Sequence, residues 1–179
     1  MRLIEIIGKE GIIPRLRAVD RNEALMEMVD HLVSTGRLPE EKREEILMAL
    51  LKRESLGATS IGNAVAIPHV KTNLVNEFVG ALAISERGIE FAPEEPKVHV
   101  LILFLSPARA VSGHLRLLAH IGGILNHDGY VRLLREADGK SDLVDLVRDA
   151  ERMIFGDDHD PDDEDDLRGR DPGRDPVLA

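Results

Sequence analysis

A chain of 179 residues with 43% hydrophobic content and a formal net charge of −10 is long enough for one domain with a real core. It has no cysteine, which excludes a disulfide framework, thiolate chemistry and a cysteine-ligated zinc site. From Gly156 to Ala179 ten acidic residues stand against three arginines, so the tail carries −7 and residues 1–155 only −3, leaving no bulk field that favours nucleic acid or an anionic membrane.

Residues 2–8 read as one helical turn. "IIPRLRAV" (12–19) reads as a strand whose internal proline suggests a sheet edge. Asp20, with Glu23 three residues on, has the form of a capping box. The helix it opens repeats Leu25, Met28, Val29 and Leu32 at helical spacing and stops at Gly36. Pro39 stands where the first residue of a second helix should be, running to about Arg53 with Ile46, Leu47, Leu50 and Leu51 as its buried stripe. "ESLGATSIGNA" (54–64), rich in small and turn-forming residues, reads as a loop before the strand Val65–Ile67 and then Pro68-His69. "FVGALAIS" (78–85) is a second strand, and "ERGIEFAPEEPK" (86–97) a polar connection. "VHVLILFLS" (98–106), almost continuously apolar and branched, is the best candidate for a central strand buried on both faces.

The second half is helical. "SGHLRLLAHIGGILN" (112–126) places Leu115, Leu118, Ile121 and Leu125 near helical spacing. Its Gly122-Gly123 pair costs about 1 kcal/mol per glycine relative to alanine, which suggests a close helix–sheet contact. Residues 129–137 and 141–155 read as two more helices, the second capped by Ser141. The acidic run beyond Gly156 cannot bury enough surface to offset its ordering entropy and is expected to be disordered. Interleaved strands and helices without strict βαβ alternation imply an α/β fold, a three-layer α/β/α sandwich with a mixed sheet. It would be one domain over 1–155 with a tail over 156–179. "LIEII" (3–7), interrupted by Glu5, is too short for a signal peptide. No apolar run approaches the roughly 20 residues of a membrane span. The expected compartment is the cytoplasm.

Histidine titrates near neutral pH and is a nucleophile when neutral, and the chain has seven. His31, His120 and His127 sit among polar residues and read as solvated rings; His159 belongs to the tail, and His99 reads as a satisfied core histidine. His69 differs. It follows a strand, and Pro68 stiffens the backbone that leads to it. A glycine-containing loop precedes that strand, and reactive groups in α/β sheets gather at strand ends. On these features alone it is either functional or a buried structural ring. His114 lies in the first turn of its helix, in line with Leu118, Ile121 and Leu125; packing or a site would both place it there. Arg53 reads either as a phosphate ligand or as a helix-terminal cation complementing the dipole. Nucleotide-binding glycine motifs, the metalloprotease H-E-x-x-H and the G-x-S-x-G elbow are missing from the sequence, and no third ligand joins two histidines at metal spacing.

"RESLGATSIGNAVAIPH" (53–69), "GIEFAPEEPKVHVLILFLSP" (88–107) and "GHLRLLAHIGGIL" (113–125) together resemble the fructose/mannitol-type enzyme IIA domain of the bacterial phosphoenolpyruvate-dependent phosphotransferase system, including its nitrogen-regulatory branch. The resemblance covers roughly residues 1–152. It implies a phosphoryl carrier in which His69 accepts phosphate, through Nε2, from phosphohistidine on the carrier protein HPr. The phosphate would then pass to a IIB domain or be held as a regulatory mark. The family's second histidine falls on His114, its site arginine on Arg53 and its loop threonine on Thr59. No cofactor or metal is implied. Two residues depart from the pattern: Val70 where a small residue usually follows the active histidine, and Ala64 in place of a glycine; both are expected to crowd the docking surface. Partners are expected to dock over an apolar rim including Ile61 and Val70. Three functions compete: sugar uptake, a regulatory module with the same chemistry, and a binding domain that keeps only the fold. Without a fused IIB, IIC or HPr-like segment the balance leans to regulation, while Arg53, His69 and His114 speak against the third.

Overall fold

The computed structural model describes residues 2–127 and 129–156. Helix α1 (Leu3–Ile7) leads to strand β1 (Ile12–Ile13), then α2 (Arg21–Ser34) and α3 (Arg43–Ser55). Strands β2 (Ser60–Gly62), β3 (Val65–Ala66), β4 (His69–Thr72), β5 (Val79–Ile89) and β6 (Val98–Pro107) follow, then helices α4 (Val111–Leu125), α5 (Tyr130–Glu136) and α6 (Lys140–Phe155).

The six strands form one mixed sheet in the order β1-β5-β6-β3-β2, with β4 also on β6. β5 runs antiparallel to β6, whereas β3 and β4 run parallel to it. β6 is therefore the central strand, as its apolar run requires, and period-two alternation sends its side chains into two cores. Leu101, Leu103 and Leu105 join Leu25, Met28 and Leu50 of α2 and α3. Val100, Ile102 and Phe104 join Leu117, Ile121 and Val147 of α4 and α6. Helices cover both faces of the sheet, and the architecture is the α/β/α sandwich.

Local departures from the sequence expectation have physical causes. Pro14 confines the first strand to Ile12–Ile13, which sits at the sheet edge on β5. Asp20 caps α2 by accepting from the Glu23 amide at 2.9 Å, but the Glu23 carboxylate takes the Val19 N–H rather than closing a box on Asp20. Pro39 precedes a 3₁₀ turn, Glu40–Lys42, rather than opening α3 itself. The 54–64 segment is not all loop. Glu54 and Ser55 finish α3, and β2 pairs with β3 through a tight turn at Asn63-Ala64, both at positive φ (50° and 61°). β5 continues through Glu86–Ile89 because Gly88, at φ +75°, allows a register shift. A Cβ at Gly88 would lie 2.8 Å from His99 Nε2.

α4 is rotated from the expected stripe. Leu117, Ile121, Ile124 and Leu125 are buried, whereas Leu115 is 61% exposed. Gly122 and Gly123 make no close sheet contact; a Cβ would meet nothing within 4 Å at the first and only Phe155 at the second. The N-cap of α6 is Gly139, which places Ser141 inside the first turn. The disorder expected of the tail concerns residues outside the described ones, Gly156 apart.

Candidate functional site

The sequence around Pro68 builds the site. β3 and β4 are one strand in register terms: Ala66 lies opposite Leu101 and His69 opposite Phe104, three residues on in both strands. Proline has no N–H for the ladder, so pairing lapses at Ile67-Pro68, and the Pro68 carbonyl is still held by the Phe104 amide at 3.0 Å. His69 thus opens β4 instead of trailing β3. The interruption leaves the Ile67 carbonyl free, and the His69 ring turns back to it at 2.6 Å through Nδ1. A carbonyl only accepts, so Nδ1 carries the proton and Nε2 holds the lone pair.

Two alternate residues of β6 complete the floor. Phe104, fully buried, stacks on the His69 ring at a centroid distance of 5.4 Å and an interplanar angle of 14°. Two positions on, on the same face, Ser106 Oγ lies 2.6 Å from His114 Nδ1. The His114 ring, from the first turn of α4, stands 5.3 Å from His69. Where the Ser106 hydroxyl donates to Nδ1, the His114 Nε2 bears the hydrogen and serves as a donor.

Arg53, in the last turn of α3, donates from Nη1 to the Gly57 carbonyl at 3.0 Å. Its charge reaches both rings. Burial, above all, holds the His69 pKa below its ordinary value of 6.5; the Ile67 hydrogen bond opposes that, Arg53 adds to it, and the Glu54 charge opposes it. His114 is pushed down to about 4, first by burial, then by His69, Lys71 and Arg53. Both rings are therefore neutral at pH 7. A neutral, aimed imidazole beside a permanent planar cation can attack phosphorus and have the resulting negative charge neutralised.

The predicted residues are not all placed alike. His69 and His114 face each other, and Arg53 acts on both. Thr59 is buried, and its hydroxyl donates to Glu54 Oε1 at 2.6 Å while its amide donates to Oε2 at 3.0 Å. Its hydroxyl proton is thus committed to a buried carboxylate, and Thr59 positions the loop. Glu54, Phe104, Ser106 and Lys71 escaped the sequence reading. The apolar, alternating β6 hides which of its faces meets the histidine, and Glu54 reads as an ordinary charge at a helix end. Ile61 is 50% exposed, and Leu56, Val111 and Leu115 are exposed too, each within a few residues of a site side chain. Val70 instead packs toward the α2–α3 core, because it alternates with His69 along β4, and does not crowd the site.

Three of the other histidines have structural partners. His31 donates to the Glu10 carbonyl at 2.7 Å and His99 to that of Ser85 at 2.8 Å; His127 is exposed, and His159 lies outside the described residues. His120 is not a solvated ring. It is buried, donates from Nε2 to Glu151 at 2.7 Å, and stacks on Phe155. Among the described residues no cluster of three or more histidines and carboxylates is arranged to hold a metal ion, and no helix is long and apolar enough to cross a membrane.

Comparison with known proteins gives a consistent result. The family model for the phosphoenolpyruvate-dependent sugar phosphotransferase system, EIIA 2, matches residues 5–150. A nitrogen regulatory protein of Bradyrhizobium diazoefficiens is 30% identical over 136 residues, 75% of this chain and 87% of the relative. A fructose-specific EIIA component of Haloferax volcanii is 32% identical over 124 residues, 69% of this chain and 79% of the relative. Among solved structures, nitrogen regulatory protein IIA-Ntr of Neisseria meningitidis superposes with a TM-score of 0.72 at 23% identity, over 80% of this chain and 97% of that one.

Proposed function

This chain belongs to the EIIA 2 family of the phosphoenolpyruvate-dependent sugar phosphotransferase system, and we propose that it carries its phosphoryl group on His69 Nε2. The general role of a phosphoryl carrier follows from membership; the atoms are our reading. The observation that carries it is the fixed tautomer. With Nδ1–H tied to the Ile67 carbonyl, the lone pair on Nε2 is the ring's one nucleophilic position. In the step, the P–N bond on the donor's phosphohistidine breaks, its electron pair stays with the donor nitrogen, and a new P–N bond forms to His69 Nε2. Arg53 neutralises charge on the equatorial oxygens. His114 donates a hydrogen bond from Nε2, made available by Ser106. Thr59 and Glu54 hold the loop that brings Arg53 to the site.

The donor we propose is an HPr-like phosphocarrier docking over the exposed Leu56, Ile61, Val111 and Leu115. The recipient is a IIB domain or, on the regulatory reading that the Bradyrhizobium relative supports, a target whose binding depends on the phosphorylation state. Residues 1–155 would be the carrier domain and the acidic tail an appendage; cytoplasmic residence fits a protein that meets soluble donors. Incubation with phosphoenolpyruvate, enzyme I and HPr followed by intact mass tests the chemistry. One acid-labile phosphoryl group is expected, absent in His69→Ala; phosphorylation that persists in His69→Ala overturns the assignment.

A further inference from the structure

A cleft of about 530 Å³ opens between the head of α2 and the connection from β5 to β6. That is the size of a small-molecule site, and none of the residues proposed for phosphoryl transfer lines it. Two backbone hydrogen bonds join its walls: the Arg21 amide donates to the Glu90 carbonyl at 3.2 Å, and the Glu90 amide to the Val19 carbonyl at 3.1 Å.

Six charged side chains line the cleft. Two of the acids already serve the fold. Asp20 caps α2 through the Glu23 amide, and Glu95 accepts the Ser60 hydroxyl. The other four are Arg21, Lys97, Glu90 and Glu94, and their side chains make no hydrogen bond or ion pair among the described residues. Arg21 is the most telling. It is the first residue of α2, its Nε is buried without an acceptor, and a buried donor left in that state is costly. A carboxylate fits the guanidinium fork, and the dipole of the 14-residue helix adds to the attraction.

Two free charges of each sign select against a plain anion, which would meet Glu90 and Glu94, and against a plain cation, which would meet Arg21 and Lys97. They fit a molecule that carries both signs. Ala92 is half-buried and Pro93 exposed on the same cleft, so an apolar wall lies beside the charges. A polypeptide segment does not present a free carboxylate and a free ammonium on one carbon; a free amino acid does.

We propose that this cleft binds a free α-amino acid with an apolar side chain. Its carboxylate lies on Arg21, with Lys97 adding attraction, its ammonium on Glu90 and Glu94, and its side chain over Ala92 and Pro93. The site is independent of the chemistry proposed for His69.

The test is titration of the nitrogen-15 full-length chain at pH 7 with L-leucine up to about 10 mM, enough to detect a millimolar Kd. Amides of Arg21, Asn22 and residues 90–97 are expected to shift and saturate; no shift, or shifts confined elsewhere, overturns the proposal. N-acetyl-L-leucine keeps only the carboxylate and L-leucinamide only the ammonium. Each should bind at least about tenfold more weakly, the scale of one lost charged hydrogen bond; equal affinity for either overturns recognition of the zwitterion. Glu90→Gln with Glu94→Gln, both at exposed positions, should weaken L-leucine at least about tenfold without weakening N-acetyl-L-leucine. An equal loss for both ligands overturns the ammonium contact. Arg21→Gln should do the reverse, losing L-leucine while L-leucinamide binds as before; undiminished L-leucine binding overturns the site. Where Arg21→Gln does not fold, the double glutamate variant decides alone.

Discussion

Helix α4 buries two histidines, His114 at 6% exposure and His120 at 8%, and holds them in opposite ways. His114 meets a neutral hydroxyl, a second imidazole and the charges of Lys71 and Arg53. His120 meets a carboxylate, Glu151, which also accepts the backbone amides of Leu3 and Ile4 and so ties α4 and α6 to the first turn of α1. Burial by itself disfavours the charged ring. Near His114 every neighbouring charge pushes the same way, which keeps the ring neutral, as the proposed donor role requires. At His120 the carboxylate uses the ring as a structural donor. Depth alone does not distinguish a working histidine from a holding one; the sign of its neighbours does.

The largest effect should come from breaking the holding pair. Glu151→Ala strips a buried ring, the buried Leu3 amide and the half-buried Ile4 amide of their acceptor at once, and removing one partner of such a pair costs about 3 kcal/mol. Urea denaturation should show that loss, while phosphoryl uptake per folded molecule stays unchanged. A loss below about 1 kcal/mol, the scale of a single ordinary hydrogen bond, would abolish the contrast with His114. His114→Ala should behave the other way round. Phosphate is still accepted on His69, but onward transfer falls by roughly a hundredfold, the usual effect of removing one preorganised donor. Normal onward transfer, followed by rapid quench with a IIB domain as acceptor, refutes the donor role.

The electrostatic half of the comparison is tested by titration. His114, folded, titrates at about 4 against 6.5 for the free ring. Below pH 6.5 the unfolded chain binds the proton first, so the contribution of this group is full above 6.5 and is lost as pH falls from 6.5 to about 4. His69, lowered in the same direction, adds with the same sign. His114→Gln should flatten part of this acid limb in chemical denaturation measured across that window. Arg53→Gln removes a cation that disfavours both protonated rings, so both pKa values should rise, as read by ring proton shifts in NMR. Unmoved rings would place Arg53 too far away to serve the transferred group.

Legibility followed the range of the interactions. Local signals were readable: the Asp20 cap, the Pro68-His69 step, and the branched run of β6 that became the central strand. What went unread depends on partners far along the chain. His120 looked solvated among polar neighbours because Glu151, 31 residues later, does not announce itself. Phe104 and Ser106 belong to the site only through the β4–β6 register, which no local pattern encodes. The spacing of Leu115 suits a stripe one position off from the one that docks on the sheet, and the residue is exposed. His69 and His114 were visible as candidates, but their approach to 5.3 Å is a tertiary fact.

The smallest effect concerns a departure from the family pattern that touches neither histidine of α4. Ala64 stands where the resemblance leads one to expect glycine, and it holds φ at +61° beside Asn63 at +50° in the β2–β3 turn. A residue with a Cβ pays roughly 1–2 kcal/mol there, whereas glycine enters the left-handed region freely but loses more chain entropy on folding. The two terms oppose each other, so Ala64→Gly should stabilise by no more than about 1 kcal/mol in urea denaturation. The Ala64 carbonyl also accepts the amides of His99 and Val100, so the turn anchors the start of β6 rather than the end that carries Phe104 and Ser106. Relaxing the turn should therefore leave the pKa of His69 and the rate of phosphoryl uptake where they were. A gain in stability accompanied by a change in either would mean that strain at the hairpin is transmitted along β6, and that the placement of His114 is set from the sheet as well as from α4.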